Sequence, residues 1–474
     1  MLQNVNITKL DGQVGVALST ENVLAIIAPA KTGTVNQPTV IASRTAAIAA
    51  FTEGPLVELA AYHLATAKKH VVAVRCTAAA GTYGTIAVVT PGTSVATASS
   101  SSFPTDDVDA VVRIVNPGTI GTLGITYQYS MDGGTNWSAT LALGTALKFV
   151  LEKGVEINMA AGTVLATTVI SLRGLAGVPT APNLTDALES LRTTGLVFDG
   201  VYIATPATAL IATQLDTWIQ GQEVVNRYVY GLLNFRRRTE AETFSTYLAA
   251  FNTAFASTVT TRINIGLDVL DLQSPIDERR YARPVIAAFG ARVCSIDLSV
   301  DASAFALGAI PSGSITDANN QPKYWDDYLQ GGTGDDAKAV CVRSWPGEAG
   351  VRFSNPRIFS APGSDYVYLQ HLRVINRASK VAYEKLRARL SSDVLTNATT
   401  GHILEVDAKE IEGDVQSALE TELLNNRRCS AVSFTLSRTD NLLATFTLNG
   451  AVGVQFKGYP KTINVLVGAT NPAS

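Results

Sequence analysis

The sequence predicts an α/β multidomain chain: a parallel sheet flanked by helices, an all-β insertion within it, a C-terminal α+β domain, and extended β arms at both ends. Three observations carry this. Apolar strand-like runs alternate with amphipathic helical stretches over 21–76 and again over 183–290. Between them, over 81–178, helical periodicity disappears and Gly, Thr, Ser and Val take over. At each end, short runs alternate apolar and polar residues with the period of a strand. A chain of 474 residues exceeds one ordinary core. The domains are therefore placed at 1–20 (arm), 21–80 with 179–362 (a discontinuous α/β domain), 81–178 (the β insertion), 363–458 (a helix-plus-hairpin domain) and 459–474 (arm).

In chain order, Val5 and Ile7 alternate with polar neighbours, Asp11-Gly12 turns the chain, and Val14 and Val16 alternate again, giving the N-terminal arm. The run VLAIIA at 23–28 suits a strand covered on both faces. A loop with Gly33 and Asn36 follows, then a helix capped by Ser43, a second helix opened by Gly54-Pro55, and a buried strand over 71–75. Strands are expected over 110–115, 124–130, 147–151 and 165–172, with Asp132-Gly133-Gly134 as a hairpin turn and 96–102 as a low-complexity loop. Strands over 197–204, 228–233 and 262–270 then alternate with helices over 206–220, 240–256 and 283–290, which argues for a parallel sheet. The stretch 301–362 has no sustained period; long helices follow over 366–390 and 406–424.

The last forty-odd residues hold the hairpin. Val432, Phe434 and Leu436 alternate inward, Phe446 and Leu448 do the same after a Thr439-Asp440-Asn441 turn, and a further strand-like piece runs over 452–456. Past the Tyr459-Pro460 break, Ile463, Val465 and Val467 form a terminal strand. Such a strand must join a sheet, either its own hairpin or that of another copy of the chain.

Composition narrows the function. Hydrophobic residues make up 46% and charged residues 16%, against a usual quarter, which suits a surface covered largely by other protein. Net charge is −3, and the longest basic tract is Arg236-Arg237-Arg238, so direct nucleic-acid binding is not expected. No apolar run reaches eighteen residues and the N-terminus has no signal pattern, so membrane insertion is not expected and synthesis in a cytoplasm is. Cys76, Cys294, Cys341 and Cys429 lie far apart, as reduced thiols would.

Motifs for chemistry are missing. There is no phosphate-binding Gly-x-x-x-x-Gly-Lys-Ser/Thr loop, and Ser312-Gly313-Ser314 lacks the second glycine of a nucleophile elbow. His63, His70, His371 and His402 stand in no metal-ligand spacing. Asp326-Asp327 and Asp335-Asp336, near Tyr324, Trp325 and Tyr328, would suit a cation or sugar site, but the plainer reading is a solvated, turn-rich loop. The three arginines at 236–238 are read as a patch meeting acids on a neighbouring subunit rather than as a phosphate site. No catalytic residue, cofactor or metal is expected.

Two stretches carry a family resemblance. Residues 23–76 combine an apolar strand, a Thr32-Gly33-x-Val35-Asn36-x-Pro38 loop, a Ser43-capped helix ending in Phe51, Gly54-Pro55, and a Val-rich strand ending in Arg75. Residues 349–380 combine a strand, a Tyr-rich segment and a long helix bearing Arg373 and Arg377. Together with the β insertion and paired arms, these resemble the sheath proteins of contractile bacteriophage tails and related injection machines. The resemblance implies a subtilisin-like α/β sheath domain without a protease triad, and a structural protein rather than an enzyme. It implies a homo-oligomer of stacked rings forming a helical sheath in the virion, assembled in a host cytoplasm. Partners would be a tail tube protein, baseplate and tail terminator proteins. It also implies that Val5, Ile7, Val14, Val16, Ile463, Val465 and Val467 add strands to a neighbour's hairpin, with Val432, Phe434, Leu436, Phe446 and Leu448 receiving. Contraction would drive the tube through an envelope. Two rivals stand beside it: another virion tail or baseplate component, and a cytoplasmic α/β hydrolase with a β carbohydrate-binding insertion.

Overall fold

The computed structural model describes residues 18–317, 319–330 and 332–467. Its described chain divides into two compact units, with the boundary between Leu372 and Arg373.

The first unit opens with β1 (Leu24–Ala28), β2 (Thr39–Ile41), α1 (Arg44–Phe51), α2 (Pro55–Ala67) and β3 (Val71–Arg75). The Ser43 side chain caps α1 by accepting the Ala46 N–H at 3.1 Å, and Pro55 starts α2 where a missing N–H costs nothing. After the insertion come α3 (Ala181–Thr193), β15 (Gly200–Pro206), α4 (Ala209–Val224), β16 (Tyr230–Asn234), α5 (Phe244–Ala254) and β17 (Ile263–Gly266). These strands form one six-stranded sheet in the order β17-β16-β15-β1-β3-β2, parallel throughout except for β2 at the edge. Helices cover both faces. Leu24 and Ile26 point to the α2 side, while Ala25 and Ile27 point to α3, α4 and α5, so β1 has to be apolar at every position.

The insertion is wholly β. It comprises β4 (Thr82–Tyr83), β5 (Ala87–Val89), β6 (Ala96–Ala98), β7 (Val108–Asn116), β8 (Gly118–Thr119), β9 (Thr126–Ser130), β10 (Leu141–Ala142), β11 (Lys148–Val150), β12 (Glu156–Met159), β13 (Thr163–Val164) and β14 (Val169–Leu175). Its largest sheet runs β10-β9-β7-β14-β4, and every strand pair in the insertion is antiparallel. Val112, Ile125, Phe149, Ile157 and Ile170 fill its own core. The low-complexity segment 96–102 is partly ordered, since β6 pairs with β12. Two hairpins, β18 (Val269–Gln273) with β19 (Arg280–Pro284) and β20 (Val342–Trp345) with β21 (Glu348–Phe353), and α6 (Val285–Ser295) complete the unit's regular elements. The single strand expected over 262–270 is in fact split by Asp268, whose left-handed backbone (φ 61°) breaks β17 from β18.

The boundary residue lies inside α7 (Leu369–Arg387). The second unit continues with α8 (Glu405–Leu419), a π-helical turn (Glu420–Leu424), β22 (Ala431–Leu436), a four-residue α9 (Leu442–Thr445) and β23 (Gly450–Gln455). β22 pairs antiparallel with β23 and lays Val432, Phe434 and Leu436 against α8, which buries Ile411, Val415 and Leu419. The second hairpin strand is therefore 450–455 and not 444–448. Asn441 caps α9 through the Ala444 N–H at 3.1 Å, and the turn ends with Phe446 in the left-handed region (φ 52°). Local capping thus outcompetes the alternating pattern; Phe446 is left 88% exposed, with Leu448 in the following loop.

Candidate functional site

The feature of the second unit with most capacity to act on a partner is its two-stranded sheet, because two strands leave two edges. In an antiparallel ladder, alternate residues turn their N–H and C=O groups outward. The Ser437 N–H donates to the Asn449 carbonyl at 2.8 Å, so odd residues of β22 face β23 and even ones face away. That outer edge of β22 is closed. The Phe434 N–H donates to Gln416 Oε1 at 2.8 Å, the Leu436 N–H donates to Glu412 Oε1 at 2.7 Å, and Gln416 Nε2 donates to the Val432 carbonyl at 3.0 Å. Arg438 holds Glu412 in place, with Nη1 2.9 Å from Oε1 and Nη2 2.9 Å from Oε2.

The opposite edge, on β23, is open. By the same alternation Val452 and Val454 turn their N–H and C=O groups away from β22, and no strand meets them among the described residues. Residues 462–467 lie outside any ladder, with Ile463, Val465 and Leu466 exposed and Val467 92% exposed. Of the other expected interface residues, Val432, Phe434 and Leu436 are buried under α8, whereas Phe446 and Leu448 lie outside both strands. Val5, Ile7, Val14 and Val16 lie outside the described residues. Sequence reading missed Glu412 and Gln416, although their four-residue spacing places both on one helical face.

A second constellation anchors the insertion to the body of the first unit. Asp106, fully buried, takes both Arg283 Nη1 (2.7 Å) and Nη2 (2.8 Å) and also Lys153 Nζ (2.7 Å). Lys153 reaches on to Glu58 of α2 at 2.9 Å. Burial alone would raise the Asp106 carboxyl, but the Arg283 and Lys153 cations outweigh it and hold the group well below the usual carboxylate range. Beside it, Arg237 grips Asp109 with two bonds of 3.1 and 2.8 Å.

The three arginines at 236–238 are thus engaged within the chain rather than offered to a neighbour. Arg236 forks onto Glu242 at 2.7 and 2.6 Å, and Arg238 donates to the Glu242 and Lys323 carbonyls. The acid-rich loop is solvated only in part: Tyr328, Leu329 and Asp336 are exposed, whereas Asp326 and Asp327 are engaged within the chain. Asp326, 1% exposed, accepts from Tyr328 N, Ser344 N and Ser344 Oγ. Asp327 accepts from Trp325 Nε1, Gly334 N and Cys341 Sγ, so these carboxylates are committed to holding the loop. Among the described residues no group of three His, Cys, Asp or Glu side chains converges as metal ligands, and no helix is long and apolar enough to cross a membrane. The four cysteines are separate buried thiols.

The fold is similar to that of solved sheath proteins. The sheath of an extracellular contractile injection system (PVC) in its contracted state aligns over 99% of this chain and 97% of its own, at TM-score 0.54 and 10% identity. Sheath tail proteins from Desulfitobacterium hafniense (TM-score 0.47, 10% identity, 96% of this chain and 100% of that one) and Listeria innocua (0.46, 11%, 93% and 96%) are further neighbours. No curated protein matches the chain in sequence. The family model described as DUF2586, N-terminal domain, matches residues 2–357. The chain belongs to that family, on a mixed α/β fold shared with contractile-system sheaths.

Proposed function

We propose that the chain is the structural subunit of a contractile sheath, polymerising around a tail tube by exchanging terminal strands between neighbours and contracting to drive that tube through an envelope. In this reading 21–80 with 179–362 form the subtilisin-like sheath domain, and the particle is a phage tail or a kindred injection device. Its other partners are baseplate and terminator proteins. The observation that carries the reading is the asymmetry of the two-stranded sheet: one edge closed by Gln416 and Glu412, the other open, beside an exposed apolar tail.

The energetics favour exchange. Burying Ile463, Val465 and Val467 is worth roughly 1.5–3 kcal/mol each as an upper bound, and each main-chain bond adds about 0.5–1.5 kcal/mol. An incoming strand first meets Val452 and Val454, and a second strand pairs with the outer side of the first. Contraction is a passage between two packings of one polymer, with the arms as tethers, so it requires no nucleotide.

Two truncations test this. Deleting 1–18, or everything after Tyr459, should leave a folded, soluble monomer that no longer forms tubes in negative-stain micrographs. If either deletion melts the body, the strands belong to their own subunit and the exchange reading fails.

A further inference from the structure

A cavity of about 320 Å³ lies in the first unit, where the insertion's last strand returns to the body. It sits outside the carboxyl ends of β1, β15 and β16, lined there by Pro29, Thr205 and Phe235. From β1 the chain crosses to β3 on one side, while β15, β16 and β17 build the sheet on the other, so this is the point at which strand order reverses. Crevices at such reversals, and cavities between a body and an insertion, are where open α/β sheets bind ligands. Leu59, Leu175 and Val269 make most of the rest of the wall apolar.

The polar groups on the wall fix the chemistry of an occupant. Arg237 and Arg283 line it, but Asp109 and Asp106 hold them bidentately. Arg236 is held in the same way by Glu242, and Arg173 reaches Asp109 and Glu240. The acid on the wall is differently placed. Asp107 Oδ1 accepts the Ala176 N–H at 2.8 Å, and its carboxylate bonds no guanidinium or ammonium among the described residues. Burial, and then the neighbouring Asp106 charge, push the Asp107 carboxyl up; the Arg283 and Arg237 cations and the Ala176 N–H offset this only in part, and a cation in the cavity would relieve the rest.

We infer that this cavity binds a small apolar molecule bearing a primary ammonium, with the apolar body against Leu59, Leu175 and Phe235 and the cation on Asp107. Because Asp107 stands at the root of the insertion and Phe235 just past the end of β16, such a ligand bridges the two parts of the unit.

Benzylamine, benzyl alcohol and benzoate share one body and differ in head group, so calorimetric titration of the full chain with each tests the inference. Benzylamine should bind saturably with a dissociation constant at or below about 1 mM, benzyl alcohol more weakly, and benzoate not measurably. Asp107→Asn, which keeps the acceptor for the Ala176 N–H, should weaken benzylamine about tenfold and leave benzyl alcohol unchanged. Binding of benzoate as tight as that of benzylamine, no saturable binding of benzylamine, or an unchanged affinity in Asp107→Asn would each overturn it.

Discussion

Asp106 shows how much can depend on one buried side chain. It joins a loop of the insertion to β19, and through Lys153 to α2, with three short charged hydrogen bonds. Asp106→Asn would leave the buried Arg283 and Lys153 cations with Glu58 as their one shared carboxylate, so a loss of about 3 kcal/mol is expected, read by urea unfolding. The pH dependence follows from the same contacts. The folded carboxyl lies below its unfolded value of about 3.9, so its contribution is present above that pH and lost as pH falls through the folded value. Wild-type stability should therefore drop steeply below about pH 4, and Asp106→Asn should flatten that drop; parallel curves would show the network to be inert. None of this was legible in sequence, where Asp106 and Arg283 stand 177 positions apart. The Arg236-Arg237-Arg238 run invited a surface reading because adjacency says nothing about partners, and its acids turned out to lie in the same chain.

Elements were legible where local chemistry and tertiary packing agree. The Ser43 cap, Pro55 at a helix start and the all-apolar β1 specify their structures within a few residues, and each formed. The hairpin shows the limit of that rule. A period-two pattern at 444–448 lost to an Asn441-capped turn, and the strand-like piece read at 452–456 became the pairing strand, over 450–455. Closure of the β22 edge by Gln416 and Glu412 was illegible for a related reason, since it depends on how α8 packs on the hairpin. Replacing Gln416 with Ala should cost about 1 kcal/mol, the worth of an ordinary hydrogen bond, and should increase off-pathway association by exposing a second edge. Thermal unfolding with light scattering reads both effects; unchanged scattering would mean that the β22 edge stays protected without it.

At the scale of the whole molecule, the fold is similar to that of the contracted PVC sheath, and the proposed polymerisation would lie in segments a single chain cannot satisfy alone. Val452→Pro probes that step directly. Its N–H points outward, opposite Phe434 in a pair that exchanges no ladder bond, so proline removes a donor from the open edge and none from the hairpin. The decisive measurement is negative-stain microscopy of wild type and Val452→Pro side by side, with circular dichroism to establish that both are folded. The account predicts striated tubes or rings for wild type and folded monomers for the variant. Tubes of equal length and abundance from Val452→Pro, or a wild type that never assembles, would contradict it.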